Sequence, residues 1–262
     1  MWLYRSSSCS LVVESLARPS QLHDHHVVQL TIGLSQVVHA VVSLARGGPV
    51  RFDDGDVLPP MAGILIAPNV SHTLHGDVVH IFAEPLGPLG RQLRGLLAGR
   101  PYLALDANIT REFLGDTPCL EWLLAPRFDD TEARLRALLA AIGKVHGSLD
   151  VVPVDTRIDA VIATLRSQLD LRTPLEQLAD VAHLSPSRLT HLFTREVGLP
   201  IKQYLVWLRL VAVLESLGSG QQLGTLAHAT GFPDQPAFAR SYRKAWGRTP
   251  SAFRRAARES AS

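Results

Sequence analysis

The sequence predicts an α+β chain in two domains. Residues 1–150 form a β-rich unit followed by helices, and residues 151–262 form an all-α unit of two helix-turn-helix motifs joined by a linker helix. Three observations carry this reading. Short β-branched runs bounded by Gly, Pro and Asp clusters crowd residues 11–84. From Glu84 onward apolar residues recur at helical spacing. From Thr173 to Arg258 one residue pattern occurs twice at a near-constant offset. At 262 residues the chain is long enough for two cores.

Gln29 to Ala45 alternates and is rich in Val, enough for two strands. Gly47-Gly48-Pro49 and Asp53-Asp54-Gly55-Asp56 predict turns. Ala62 to Pro68 reads as a buried strand and Val78 to Phe82 as another, and strands at this spacing predict a small barrel or sandwich. The helical stretch begins with Pro88 to Ala98, where Leu89, Leu93, Leu96 and Leu97 share a stripe. Ile109 to Trp122 holds a short amphipathic piece ending near Leu124. Asp130 to His146 places Leu135, Leu138, Leu139 and Ile142 at i, i+3, i+4 and i+7. Gly147 to Val154 reads as the linker. Asp155 or Thr156 then caps a helix from Arg157 to Asp170, with Ile158, Val161, Ile162 and Leu165 inward.

Thr173 as N-cap and Pro174 at the first helical position open the first repeat. Leu175, Leu178, Ala179 and Ala182 form an apolar face, His183-Leu184 interrupt it, and Ser185-Pro186 start a second helix that turns Leu189, Leu192 and Phe193 inward. Gly198 can stop that helix. In the second repeat Leu223, Leu226 and Ala227 take the first set of positions, Gly231-Phe232 the interruption, and Phe238 and Tyr242 the inner face. Ala179 and Ala227 lie 48 positions apart, and Leu189 and Phe238 lie 49 apart. The linker helix is expected at about Ile201 to Leu217, with Tyr204, Leu205, Leu208, Val211 and Leu214 inward.

This segment resembles the DNA-binding domain of the AraC/XylS family of bacterial transcription regulators. The matching residues are Ala179, Ser185, Leu189, Phe193, Gly198, Tyr204 and Arg209-Leu210, then Leu226-Ala227, Gly231-Phe232, Asp234, Phe238, Arg240, Tyr242, Gly247, Pro250 and Phe253-Arg254. Tyr242 stands where Phe is usual, Gly224 weakens a helix interior, and Pro236 comes early in the second recognition helix. The resemblance implies two recognition helices entering successive major grooves, ~34 Å apart on one DNA face. By position, Ser187, Thr190 and His191 in the first helix and Gln235, Pro236, Ala239 and Arg240 in the second face bases. Gln pairs bidentately with adenine and Arg with guanine, each worth ~1–3 kcal/mol of discrimination. Arg188, Arg195, Arg243, Lys244, Arg248, Arg254 and Arg255 are the phosphate candidates. Charge agrees: residues 151–262 hold 14 Lys/Arg against 9 Asp/Glu, and residues 1–150 hold 12 against 15. The basic half is the half that would meet DNA.

The amino-terminal half resembles the cupin-like sensor domains that precede such DNA-binding domains, through His23-Asp24-His25, Gln29 and Pro68-Asn69-Val70-Ser71-His72. In cupin enzymes a His-x-His pair, a Glu four residues on and a later His bind a metal; here Gln29 stands in the Glu position. Seven of the eleven histidines fall in the first 80 residues, so His23, His25, Gln29, His72 and His75 are expected to line either an organic effector pocket or a site for Ni, Zn, Fe or Cu. The expected function is a sequence-specific regulator, in the activator class, that answers to a small effector, carries no obligatory cofactor and works with double-stranded promoter DNA and RNA polymerase. The resemblance also implies homodimerisation through helices after the barrel. The alternative from another class is a cupin-type metal-dependent enzyme or metal sensor fused to a DNA-binding module, and a blander one is an architectural DNA-binding protein without a ligand. No Ser/His/Asp or Cys/His nucleophile arrangement and no Gly-rich phosphate loop points to catalysis. Cys9 and Cys119 fit neither a disulfide framework nor a zinc pattern. No secretory signal or membrane span is read, so a cytoplasmic protein is expected.

Overall fold

The computed structural model describes residues 2–5, 9–17, 19–43, 56–126, 128–147, 153–168, 173–216, 221–246, 249–252 and 254. The turns expected at Gly47-Gly48-Pro49 and Asp53-Asp54-Gly55, most of the expected linker, Arg248 and Arg255 lie outside them. One compact unit ends at residue 152 and a second runs Pro153–Arg254.

The first unit is built on an antiparallel sheet: β1 (Trp2–Arg5), β2 (Cys9–Leu16), β3 (Val28–Gly33), β4 (His39–Ser43), β5 (Asp56–Val57), β6 (Gly63–Ile66), β7 (Ser71–Ala83) and β8 (Tyr102–Leu105). The 13-residue β7 is its spine. Residues 76–83 pair with β2 on one side, and residues 78–83 pair with β3 on the other. Residues 71–75 pair instead with β4. The change of partner falls at Gly76, whose φ of +130° suits a residue without a Cβ. The order β1-β2-β7-β3-β6-β8 leaves β1 and β8 at opposite ends, with β4 and β5 attached to the first half of β7. The barrel read from the sequence is therefore a curled half-barrel.

Strand alternation separates two faces. Leu11, Val13, Leu30, Ile32, Val79 and Ile81 face a core shared with α1 (Pro88–Leu97), α2 (Ala107–Leu114), α3 (Cys119–Leu124) and α4 (Thr131–His146). Leu135, Leu138, Leu139 and Ile142 of α4 are all buried in that core, each contributing about 1.5–3 kcal/mol. A smaller apolar cluster, including Val42, Ile64, Ile66 and Leu74, fills part of the concave side. Two expectations change here. The region after Glu84 is not wholly helical, because β8 follows α1 and pairs with β6, burying Leu103 and Leu105. The single piece expected in Ile109 to Trp122 is two helices, divided by Gly115 at φ +62° and by Pro118 at the cap of α3.

The second unit contains α5 (Thr156–Gln168), α6 (Leu175–Val181), α7 (Pro186–Val197), α8 (Ile201–Ser216), α9 (Leu223–Ala229) and α10 (Gln235–Trp246). The Asp155 carboxylate accepts the Arg157 N–H at 3.0 Å and caps α5, with Ile158, Val161, Ile162 and Leu165 buried. The cap of α6 is Pro174, without a side-chain cap bond, so Thr173 lies one residue outside the position expected for it. In α8, Tyr204, Leu205 and Leu208 are buried as expected, Val211 is half-buried, and the side chain of Leu214 lies outside the described residues. Trp207, Leu210, Val213 and Arg209 are buried as well. None of the described helices is long and apolar enough to cross a membrane.

Candidate nucleic-acid interface and histidine cluster

The two turns of the second unit are copies of each other. His183 (φ +52°) and Gly231 (φ +84°) both adopt the left-handed conformation. The Leu184 N–H donates to the Ala179 carbonyl at 2.9 Å, and the Phe232 N–H donates to the Ala227 carbonyl at 2.9 Å. The next helix is capped each time by a side chain: Ser185 accepts from the Arg188 N–H, and Asp234 from the Ala237 N–H at 2.6 Å. Capping fixes where each recognition helix starts, and so which residues lead its exposed face.

On α7, Leu189, Leu192 and Phe193 are buried, while Ser187, Arg188, Thr190, His191 and Arg195 are exposed. The Thr190 hydroxyl donates to the Pro186 carbonyl at 2.9 Å, and Arg195 pairs with Glu196 at 2.9 Å. On α10, Phe238 and Tyr242 are buried, Gln235, Pro236, Arg240, Arg243 and Lys244 are exposed, and Ala239 is half-buried. Arg254 is half-buried, so the structure does not place it with the exposed cations of α10. Packing holds the pair: Phe193 meets Tyr204 edge-on at 5.5 Å, and Trp207 meets Trp246 at 5.5 Å. Beneath the second turn lies Arg209, 3% exposed, whose guanidinium donates to the Gly231 carbonyl. Its sequence signal is one cation inside the apolar run Leu205–Leu214.

The concave face of the first unit carries the histidines. His23 and His72 form an isolated antiparallel bridge, and His25 follows two residues on. Potential ligand atoms of His23, His25 and His72 lie within 4.8 Å of one another. The Nδ1–H of His23 donates to the Gln21 carbonyl at 2.7 Å, and that of His72 to the Val70 carbonyl at 2.8 Å. In the neutral rings both Nε2 atoms are then acceptors. Burial, with His23 nearby, lowers the pKa of His25 to about 3 and holds that of His72 well below 6.5. Gln29 Oε1 lies 3.1 Å from His72 Nε2 and 2.5 Å from His25 Nε2. His75 does not join this group; it stands opposite His39, with ring centroids 5.6 Å apart. His26 is buried separately, with its pKa lowered to about 4 by burial and by the Arg94 charge. Behind Gln29, Glu14, Thr31 and His80 are buried in one hydrogen-bonded chain that crosses three strands, a group the sequence reading missed.

Comparison with known proteins fits this geometry. A family described as a helix-turn-helix domain matches residues 178–256, which include both turns and both recognition helices. The chain is 24% identical over 259 residues to the probable transcriptional regulator LumQ of Photobacterium leiognathi, covering 93% of this chain and 96% of that protein. It is 30% identical over 104 residues to the arabinose operon regulatory protein of Escherichia coli, covering 39% of this chain and 36% of that one. It is also similar to AdaA of Bacillus subtilis, a bifunctional transcriptional activator/DNA repair enzyme, at 26% over 128 residues, 48% of this chain. The chain spans 61% of AdaA's length. Among solved structures, ToxT of Vibrio cholerae superposes with a TM-score of 0.60 over 95% of this chain and 98% of that one, a likeness of fold at 9% identity. The duplicated turn, the family match across both copies and the regulators that align with it lead to one assignment: residues 178–256 form a helix-turn-helix domain of the AraC type, and the chain is similar to transcriptional regulators that carry it.

Proposed function

We propose that this regulator is an effector-responsive activator that reads promoter DNA with α7 and α10 in successive major grooves. The observation that carries the reading is the matched pair of capped helices, each burying its aromatic side and exposing polar residues at its start. Ser187, Thr190 and His191 read one half of the site, and Gln235 and Arg240, flanked by Pro236 and Ala239, read the other. Arg188, Arg195, Arg243 and Lys244 hold phosphates. The protein works by binding in the cytoplasm, as a homodimer that engages RNA polymerase, and the first unit receives the effector.

Selection from a random duplex pool with the full chain tests this. Two conserved half-sites about one helical turn apart are expected, and enrichment of a single half-site overturns the reading. Arg240→Ala should relax preference at one base pair by ~1–3 kcal/mol. Arg243→Ala should weaken all sequences alike and reduce the salt slope by about one.

One observation favours a metal as the effector. His72 Nε2 and Gln29 Oε1 are both acceptors, 3.1 Å apart, and such a contact becomes favourable when a cation lies beside it. Three imidazoles, two of them with the other ring nitrogen tied to a backbone carbonyl, match how metal-ligating histidines are held. His23, His25 and His72, with the Gln29 oxygen, would take a divalent ion such as Zn or Ni. Chelator-stripped full-length protein should bind Zn²⁺, and His72→Ala should lose it while DNA affinity in the absence of metal is retained. A stripped wild-type protein that takes up no metal overturns this reading.

A further inference from the structure

The buried chain behind the histidines assigns a role to Glu14. We infer that Glu14, acting through His80, fixes which end of the Gln29 amide faces the three histidines, and so sets metal affinity at that site. The inference rests on the metal reading above.

Strand register brings the groups together. Thr31 on β3 lies opposite His80 on β7, and Gln29 lies opposite Phe82, one step along the same face. On the other side of β7, Val12 is opposite His80 and Glu14 is opposite Val78. Glu14, His80, Thr31 and Gln29 are each 5% exposed or less. An ionised carboxylate can only accept, and Glu14 Oε1 lies 3.2 Å from His80 Nε2. The carboxylate thus faces an N–H at Nε2, and the Gln29 amide nitrogen, which can only donate, lies 3.1 Å from Nδ1, so Nδ1 is the acceptor of the ring. Its lone pair takes hydrogen bonds from the Thr31 hydroxyl at 2.9 Å and from the Gln29 amide NH₂ at 3.1 Å. The same NH₂ donates to Thr31 Oγ1 at 2.9 Å. An amide has one donor end and one acceptor end. With its NH₂ committed to His80 and Thr31, Gln29 must turn Oε1 toward His25 and His72. A carboxylate on β2 thereby orients an oxygen donor on β3, across the intervening β7.

The arrangement lets a glutamine among the histidines offer oxygen to a metal. A glutamine oxygen is a useful ligand only if the amide cannot flip, because the flipped NH₂ repels a cation. Glu14 and His80 supply that constraint without adding charge next to the metal.

The test is a double-mutant cycle on full-length, chelator-stripped protein. It is read by Zn²⁺ affinity and by the visible ligand-field spectrum of bound Co²⁺, which reports the donor set. In Glu14→Gln the new amide can donate to His80 Nε2. A neutral amide holds the Nε2 proton less firmly than a carboxylate does, so the His80 proton is freed to move to Nδ1 and the Gln29 NH₂ to turn toward the histidines. Metal affinity should fall by roughly tenfold to a hundredfold, with an altered Co²⁺ spectrum and unchanged DNA binding. Gln29→Glu should bind more tightly than wild type. Glu14→Gln/Gln29→Glu should match Gln29→Glu, since a carboxylate has no wrong end to present. Thr31→Val, nearly isosteric, should weaken binding to a smaller degree and serves if Glu14→Gln misfolds. If Glu14→Gln binds as wild type does, or if the double variant loses as much as the single, the role of Glu14 is refuted while the metal reading stands. If wild type binds neither ion, both fall.

Discussion

Gly231→Ala is expected to disable the second recognition helix. The residue sits at φ +84°, where a Cβ costs roughly 1–2 kcal/mol. The added carbon would also lie 2.7 Å from the Cζ of Arg209 and 2.8 Å from its Nη2. Those atoms cannot swing clear, because Arg209 is 3% exposed and donates to the Gly231 carbonyl. Overpacking of this kind costs about 1–3 kcal/mol, so a total of about 2–5 kcal/mol is expected in urea unfolding. On DNA, the half-site read by Gln235 and Arg240 should lose its preference while the half-site read by α7 keeps it. Unchanged stability together with intact preference at both half-sites would remove Arg209 as the brace of this turn. His183→Gly at the equivalent position of the first turn should be mildly stabilising, since it relieves a left-handed non-glycine residue.

Acid should unfold the first unit early. In metal-free protein, burial keeps His25 near pKa 3, His26 near 4 and His72 well below its ordinary 6.5. The unfolded chain binds these protons first, so stability is complete above pH 6.5 and falls as pH drops from there toward the folded values. At pH 5 His25 and His26 each remove about 2 kcal/mol, and His72 acts in the same direction. Calorimetry of the full chain between pH 7.5 and 5 should show a steep fall in the Tm of one transition. His26→Leu should make that fall shallower, and a Tm independent of pH in this range would contradict the burial of these rings.

Local pattern carried most of the second unit. The caps at Ser185 and Asp234, the buried Phe193 and Phe238 and the exposed starts of α7 and α10 are periodicity and capping, both local properties. What escaped depends on pairing between distant segments. Tyr102 to Leu105 is four residues between helices, and it becomes a strand only because β6 offers an edge. The first half of β7, Ser71 to His75, reads as polar, and β4 gives it a partner. Glu14 and His80 meet because β2 lies beside β7, and nothing in either neighbourhood announces it. Grouping His75 with the other histidines failed for the same reason: register sets it against His39.

The leucine stripe of α4 is committed inward: Leu135, Leu138, Leu139 and Ile142 close the core of their own unit. The helix shows solvent a different alphabet, with Glu132, Arg136, Ala140 and Lys144 outermost at four-residue intervals. A second copy docking along this helix would meet charges interleaved with Ala133, Ala140 and Val145. Such a union would loosen as ionic strength rises.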